Sequence, residues 1–274
     1  LQDTHINLPQ RPAVHEYVRS KDGTRIGYKR FGAGPAVVFV HGSLSKGTDW
    51  HGVANCLADR FTCFTMDRRG HGHSELGSSA YSIDREYDDL VAVLSAAGPD
   101  ASLVGHSYGA ICSLGAAMRI PLHRLVLYEP PLPVGGLIAG EHLDPFRRTV
   151  ADGRLDDALE MGLKEFVRLP GAHVEAMRGS KGWSRLAALV STWPRELEAM
   201  DELPGGVEAY TAITCPTLLL LGTESSEHPF RHAMAALYRV LPNVQIASLK
   251  GQGHMAMRSA QSHLAAQIAQ FVGA

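Results

Sequence analysis

The stretch Gly105-His106-Ser107-Tyr108-Gly109 has the form G-x-S-x-G. It stands between a short apolar run, SLVG (102–105), and a helix-forming stretch rich in small residues, among them Ala110, Gly115, Ala116 and Ala117. A serine in that setting occupies a tight strand-to-helix turn that holds its hydroxyl out of the sheet, and the flanking glycines allow close approach of the two elements. The chemistry this suits is nucleophilic attack by Ser107 on a carbonyl. An attacking hydroxyl needs a base. Of the 14 histidines, His254 is set apart by position: it ends the glycine-rich stretch Gly251-Gln252-Gly253-His254, after the last predicted strand and before the final helix. The reaction also needs donors for a developing oxyanion. AVVFV (36–40) runs into His41-Gly42-Ser43-Leu44, and backbone amides after such a strand can face the nucleophile. The expected donors are the N–H groups of Ser43 and Tyr108.

A carboxylate poses a further question. Leu125 to Tyr128 reads as a short strand buried on both faces, followed by Glu129, Pro130 and Pro131. The prolines lack backbone donors and end the strand, so Glu129 sits where a buried strand surfaces, and a carboxylate there needs a partner. Asp67-Arg68-Arg69-Gly70-His71-Gly72-His73-Ser74 follows another strand. His71 and His73 suggest a metal, but no third ligand cluster accompanies them, and a structural loop is the expectation.

These residues are positioned by an alternation of strands and helices. HEYVRS (15–20) and RIGYKRFG (25–32) form an antiparallel pair around a turn at Lys21-Asp22-Gly23. Buried strands are predicted at 36–40, 61–66, 102–105, 125–128, 217–221 and 244–249. Helices are predicted at about 49–59, 83–97, 229–241 and 257–272. On the second of these helices Tyr87, Leu90, Val91 and Leu94 share a face; on the last, Leu264, Ile268 and Phe271 do. Such alternation means a mostly parallel sheet covered on both sides. Between Pro133 and Val207 no strand is predicted. Helical segments at 155–169 and 182–192 mark a cap inserted into the sheet domain, giving a core of 1–132 and 208–274 and a cap of 133–207. Two of the three tryptophans, Trp183 and Trp193, lie in that cap with Met161, Phe166 and Met177. Such residues either pack the cap onto itself or line an apolar pocket, and Trp183 and Trp193 are the expected pocket residues. Residues 1–13 read as an irregular arm.

The bulk composition narrows the function. Hydrophobic residues make up 45% and charged residues 20% of 274, enough for a substantial core. The net charge is −2, without long basic runs, which leaves nucleic acid no electrostatic footprint. Cys56, Cys63, Cys112 and Cys215 include no CxxC pair and read as buried free thiols, fitting a reducing, cytoplasmic compartment. No apolar run approaches a membrane span. LQDTHINLPQ lacks the order of a signal peptide, and a start without Met implies processing or trimming.

HGS at 41–43, DRRGHGHS at 67–74, GHSYG at 105–109 and GQGH at 251–254, in this order, resemble the α/β-hydrolase fold family over essentially the full length. The resemblance implies an α/β fold with an eight-stranded, mostly parallel sheet, a cap after the sixth strand and a Ser–acid–His triad. Members usually carry the acid after the seventh strand, three residues past its glycine. That position is Ser225 here, with Glu224 and Glu227 beside it as substitutes. A second arrangement, seen in haloalkane dehalogenases and zearalenone-type lactonases, puts the acid at the end of the sixth strand, where this chain has Glu129. Glu129 is the favoured acid, because that strand neighbours the nucleophile strand and its end can face His254. A serine nucleophile argues against dehalogenation and epoxide hydrolysis, which use a carboxylate nucleophile in this family. The expected activity is hydrolysis of a carboxylic ester or lactone of a small, largely hydrophobic molecule through an acyl-enzyme, with no metal or organic cofactor. The alternatives are amide or carbon–carbon bond hydrolysis, cofactor-free perhydrolysis, and a small-molecule receptor built on the same fold.

Overall fold

The structure, a computed structural model, describes residues 13–78 and 80–273. All but the last residue of the arm expected at 1–13 lies outside the described residues. The strands are β1 (Val14–Arg19), β2 (Arg25–Phe31), β3 (Ala36–Val40), β4 (Thr62–Met66), β5 (Ser102–His106), β6 (Leu125–Tyr128), β7 (Thr217–Gly222) and β8 (Val244–Leu249). They form one sheet in the order β1-β2-β4-β3-β5-β6-β7-β8. β1 pairs antiparallel with β2, and β2 with β4; the remaining pairs are parallel.

The helices are α1 (His51–Leu57), α2 (Ile83–Ala97), α3 (Tyr108–Ala117), α4 (Leu143–Ala151), α5 (Leu155–Glu165), α6 (Gly171–Arg178), α7 (Trp183–Ala187), α8 (Trp193–Asp201), α9 (His232–Val240), α10 (Ala256–Ser259) and α11 (Gln261–Val272). Alternation along β3 sends Val37 and Phe39 to one face and Val38 and Val40 to the other. The first face packs on α1 and α11 through Val53, Leu57, Leu264 and Ile268. The second packs on α2 and α3 through Leu90, Leu94 and Ile111. A sheet covered in this way explains why β3 to β7 read as unbroken apolar runs.

Two expectations are corrected. β8, predicted as a buried strand, is an edge strand: it has only β7 beside it, and Ile246 is 48% exposed. On α2 the buried face carries Val93 rather than Val91, and it includes two acids, Glu86 and Asp89. The acids are tolerated there because arginines reach them: Arg68 Nη1 stands 2.8 Å from Glu86, and the Arg69 fork lies 2.6 and 2.7 Å from Asp89. Between β6 and β7 the described residues hold helices and turns only, α4 to α8 among them. No helix among the described residues is long and apolar enough to cross a membrane. All four cysteines are free thiols, but only Cys63 and Cys112 are buried as expected; Cys56 and Cys215 are partly exposed.

Candidate active site

Ser107 joins β5 to α3 at φ 53°, ψ −126°. A non-glycine residue in such a conformation costs on the order of 1–3 kcal/mol and persists only where its surroundings hold it. Here the Ser107 amide donates to the Tyr128 carbonyl at 2.9 Å, and its carbonyl accepts from Ala110 at 2.8 Å. The His41–Leu44 loop presses directly against this turn. A Cβ on Gly42 would stand 2.7 Å from the Ser107 Cβ, and one on Gly109 would stand 2.4 Å from the His41 carbonyl oxygen. Among the described residues four non-glycines have positive φ, and three of them, Leu44, Ser107 and Glu129, border this site. Both expected oxyanion donors belong to residues near the serine. Ser43 lines the same cavity as Ser107. Tyr108 opens α3, where a backbone N–H has no carbonyl within the helix to donate to.

Glu129 is fully buried, and its partners answer the question raised by its position. Oε2 lies 2.6 Å from Nδ1 of His254. Oε1 accepts from the Gly222 amide and from the Ser225 hydroxyl, each at 2.6 Å. A carboxylate only accepts, so Nδ1 of His254 carries the proton and Nε2 is left as the basic nitrogen. The imidazole is held on every side. Its ring stacks on Phe230 at 4.1 Å and lies 4.4 Å from the ring of His106. His106 Nε2 donates to the His254 carbonyl at 2.8 Å, and Tyr128 donates its hydroxyl to the neighbouring Gly253 carbonyl. Burial, and then the nearby His254, push the His106 pKa well below its ordinary value, so it serves as a neutral clamp. Glu224 and Glu227 are both exposed: the Glu224 amide donates to the Gln252 carbonyl, and the Glu227 carboxylate pairs with Arg231 at 3.4 Å.

Ser107 and His254 open into a cavity of about 280 Å³. Leu163, Phe166, Met177, Trp193 and Met200 line it from the inserted helices. Of the two tryptophans, Trp193 is on this wall, and its ring also packs edge-on against Phe146 and Phe166. Trp183 is not. It is buried within the inserted helices, where its indole N–H donates to Asp156 at 2.7 Å, and it is absent from the cavity wall. A buried indole needs an acceptor, and Asp156 on α5 supplies one away from the cavity. Met161 is likewise absent from the cavity wall and packs, partly buried, against the core.

The DRRGHGHS stretch is a bracing loop. Asp67 accepts from the amides of Gly47 and His73, each at 2.9 Å, and Ser74 bridges the Gly27 amide and the Asp67 carbonyl. His71 is buried 3.6 Å from Glu196, with its pKa pushed down to about 4 by burial and by Arg68. Among the described residues no three His, Cys, Asp or Glu side chains are grouped to hold a metal.

Sequence reasoning missed Phe230, the clamping role of His106 and a buried ion cluster behind Ser43. In that cluster Arg68 bridges Glu86 at 2.8 Å and Glu196 at 2.6 Å. The predicted face of α2, Tyr87, Leu90, Val91 and Leu94, held neither Glu86 nor Asp89, and the buried face that the structure shows, centred nearer Val93, is what brings the two acids in; Glu196 had no sequence signal.

Comparison with known proteins agrees with this architecture. A structure of an alpha/beta hydrolase from Sphaerobacter thermophilus superposes with a TM-score of 0.82 at 32% identity, covering 93% of this chain and 99% of that one. The 2-(acetamidomethylene)succinate hydrolase of Mesorhizobium japonicum is 29% identical over 81% of this chain and 82% of its own. A non-heme chloroperoxidase of Burkholderia pyrrocinia is 29% identical over 87% of this chain and 92% of its own. Residues 37–267 match the model of the Alpha/beta hydrolase family, and the chain belongs to that family.

Proposed function

We propose that the protein is a serine hydrolase that cleaves a carboxylic ester or lactone of a small, largely hydrophobic molecule. The observation that carries this reading is the 2.6 Å contact between buried Glu129 and His254, beside a strained serine that opens into an apolar cavity. In this cycle His254 Nε2 takes the hydroxyl proton as Ser107 Oγ bonds to the substrate carbonyl carbon. The amides of Ser43 and Tyr108 hold the resulting oxyanion. The carbon–oxygen bond to the leaving group breaks, and His254 gives its proton to the departing alcohol. Water, deprotonated by His254, then releases the acid and restores Ser107. Glu129 fixes the tautomer and stabilises the imidazolium. These steps require no metal or organic cofactor.

Residues 133–207 act as a cap over a core of 1–132 and 208–274, and Trp193 shapes the pocket. The cavity volume is near the lower end of the roughly 300–1,000 Å³ usual for small-molecule sites. Short to medium acyl or alcohol groups suit it.

A second reading, amide hydrolysis by the same residues, is favoured by the relative named for hydrolysing 2-(acetamidomethylene)succinate. Turnover of matched p-nitrophenyl esters, lactones and amides separates the two. Ser107→Ala should abolish turnover without unfolding the protein, and a fluorophosphonate probe should label Ser107. Retained turnover in a folded Ser107→Ala protein would overturn the serine mechanism, and a strong preference for small charged esters would overturn the apolar pocket.

A further inference from the structure

Behind the Ser43 amide lies a buried charge that the acyl-transfer cycle leaves unused. Arg68 is 0% exposed and spends its guanidinium on four groups. Nη1 donates to Glu86 on α2, and Nη2 to Glu196 on α8. Nε donates to the His41 carbonyl at 3.0 Å, and Nη2 reaches the Gly42 carbonyl at 3.3 Å. Its plane also lies over the Tyr108 ring, 4.8 Å from the centroid.

The Gly42 carbonyl belongs to the same peptide group as the Ser43 N–H. A trans peptide is planar, and its N–H points opposite to its C=O. Fixing that carbonyl toward Arg68 therefore aims the Ser43 N–H away from Arg68. A second donor fixes the same oxygen. The Arg68 amide donates to Nε2 of His41 at 3.0 Å, so Nδ1 of His41 carries the proton and donates to the Gly42 carbonyl at 2.9 Å. Two donors on one carbonyl also polarise its amide and strengthen the N–H as a donor. The other donor residue hangs on the same cluster. The Tyr108 hydroxyl stands 2.7 Å from that of Tyr81, which donates to Glu86 at 3.0 Å.

We propose that Arg68 is a positioning residue for the oxyanion hole, and that Glu196, contributed by the inserted helices, completes it. The inference rests on the serine-hydrolase reading above. Its consequence is that docking of the inserted helices and competence of the oxyanion hole are one event. Glu196 is the counter-ion Arg68 meets at the shorter distance, and it comes from outside the sheet core. The planar fork matters because a lysine could keep the charge but could not reach two carboxylates and two carbonyls at once.

The test compares Arg68→Lys and Glu196→Gln with the unmodified chain. Active sites are counted with a fluorophosphonate. Kinetics are measured on a p-nitrophenyl ester. Inhibition is measured with an alkyl trifluoromethyl ketone, which forms an oxyanion adduct, and with the corresponding alcohol, which does not. Removing one oxyanion donor outright costs about 10²–10³ in kcat, so a misaimed donor in Arg68→Lys should cost roughly 10–100-fold per counted site. KM and alcohol affinity should hold within about twofold, while ketone affinity falls by the same factor as kcat. Glu196→Gln should show the same split at roughly 3–10-fold. A lower Tm with unchanged kcat per site and unchanged ketone affinity would overturn the proposal and leave Arg68 a packing residue. Should Arg68→Lys fail to fold, the near-isosteric Glu196→Gln decides, and unchanged ketone affinity in it is equally fatal. Absence of fluorophosphonate labelling in the unmodified chain would instead sink the serine-hydrolase reading.

Discussion

β6 and β7 are parallel neighbours, each buried along its whole length, yet they end in opposite ways. β6 runs into one carboxylate, Glu129, at φ 50° and fully buried. β7 runs into Thr223-Glu224-Ser225-Ser226-Glu227, a turn whose two carboxylates face solvent. The two ends touch: the Gly222 amide and the Ser225 hydroxyl from β7 both donate to the Glu129 carboxylate from β6. Because the ends share one polar pocket, a carboxylate placed on either strand is expected to meet the same histidine. Environment separates a carboxylate that can orient an imidazole from one that is merely solvated. Glu129 has three donors and is fully buried; Glu224 is exposed.

The sharpest way to break this comparison is Glu129→Gln. Shape is kept and the charge is lost, so the imidazolium formed during attack has no counter-charge and the His254 tautomer is no longer fixed. Neutralising a triad acid lowers kcat by about 10⁴, and a fall of roughly 10³–10⁴ in kcat on a p-nitrophenyl ester is expected. Activity within tenfold of the unmodified chain would remove Glu129 from the mechanism.

If the two ends share a pocket, the acid should be movable. Ser225→Asp places a second carboxylate within hydrogen-bonding distance of the first. Alone, it should lower kcat/KM by about tenfold, because like charges at that separation disfavour ionisation of both. Combined with Glu129→Gln, it should raise kcat/KM by about tenfold over Glu129→Gln alone, a change of sign that only neighbouring, coupled sites produce. A double variant no better than the single would mean that the β7 end cannot reach His254.

The same contrast shows what the chain reveals in its residues. β3, β6 and β8 and helix α2 were bounded to the residue, because each is an unbroken apolar or periodic run ended by glycine, proline or polar residues. Ser107 and His254 were legible because their positions at strand ends follow from that alternation. Glu129 stood out because a carboxylate followed by two prolines interrupts an apolar strand. Burial was less legible. The β8 run VQIASL looks like its neighbours, but edge position depends on strand order, which no local pattern encodes. Trp183 and Trp193 are equally apolar in sequence; only packing gives one an Asp156 partner and the other the cavity wall. The Arg68–Glu196 pair joins residues 128 apart, and a pairing of that span leaves no local trace.

A smaller effect is expected from Ser225→Ala. The hydroxyl is one of three donors to Glu129, and a hydrogen bond to a charged group contributes roughly 1.5–3 kcal/mol when both partners are dry. Ser225 is only half-buried, so water can partly replace it. Activity should fall by about 3–10-fold, with the Gly222 amide and His254 keeping the carboxylate in place. An unchanged rate would mean that the β7 end contributes backbone alone, and a loss as large as that of Glu129→Gln would mean that the carboxylate swings away without its hydroxyl.

The smallest effect is expected at the residue that stands beside the family's usual acid position. Glu224 is exposed, its backbone amide donates to the Gln252 carbonyl, and no hydrogen bond or ion pair joins its side chain to His254 among the described residues. A charge in solvent is screened within about 8–10 Å at ordinary salt, and its pairings contribute little. Surface substitutions of this kind stay within about 0.5 kcal/mol, so Glu224→Gln should change kcat/KM by less than about twofold and leave Tm in place. Glu227→Gln, which releases only the exposed contact to Arg231, serves as the matched control and should behave alike. The value of this near-silent variant lies in its pairing with Glu129→Gln. If Glu224→Gln alone lost orders of magnitude, the β7 turn would have to fold inward during catalysis and carry the acid, and the buried contact at β6 would be a resting arrangement. If both variants were crippled, the two carboxylates would share the task. Only a crippled Glu129→Gln beside a nearly unaltered Glu224→Gln is consistent with one acid, held where the chain leaves it no solvent.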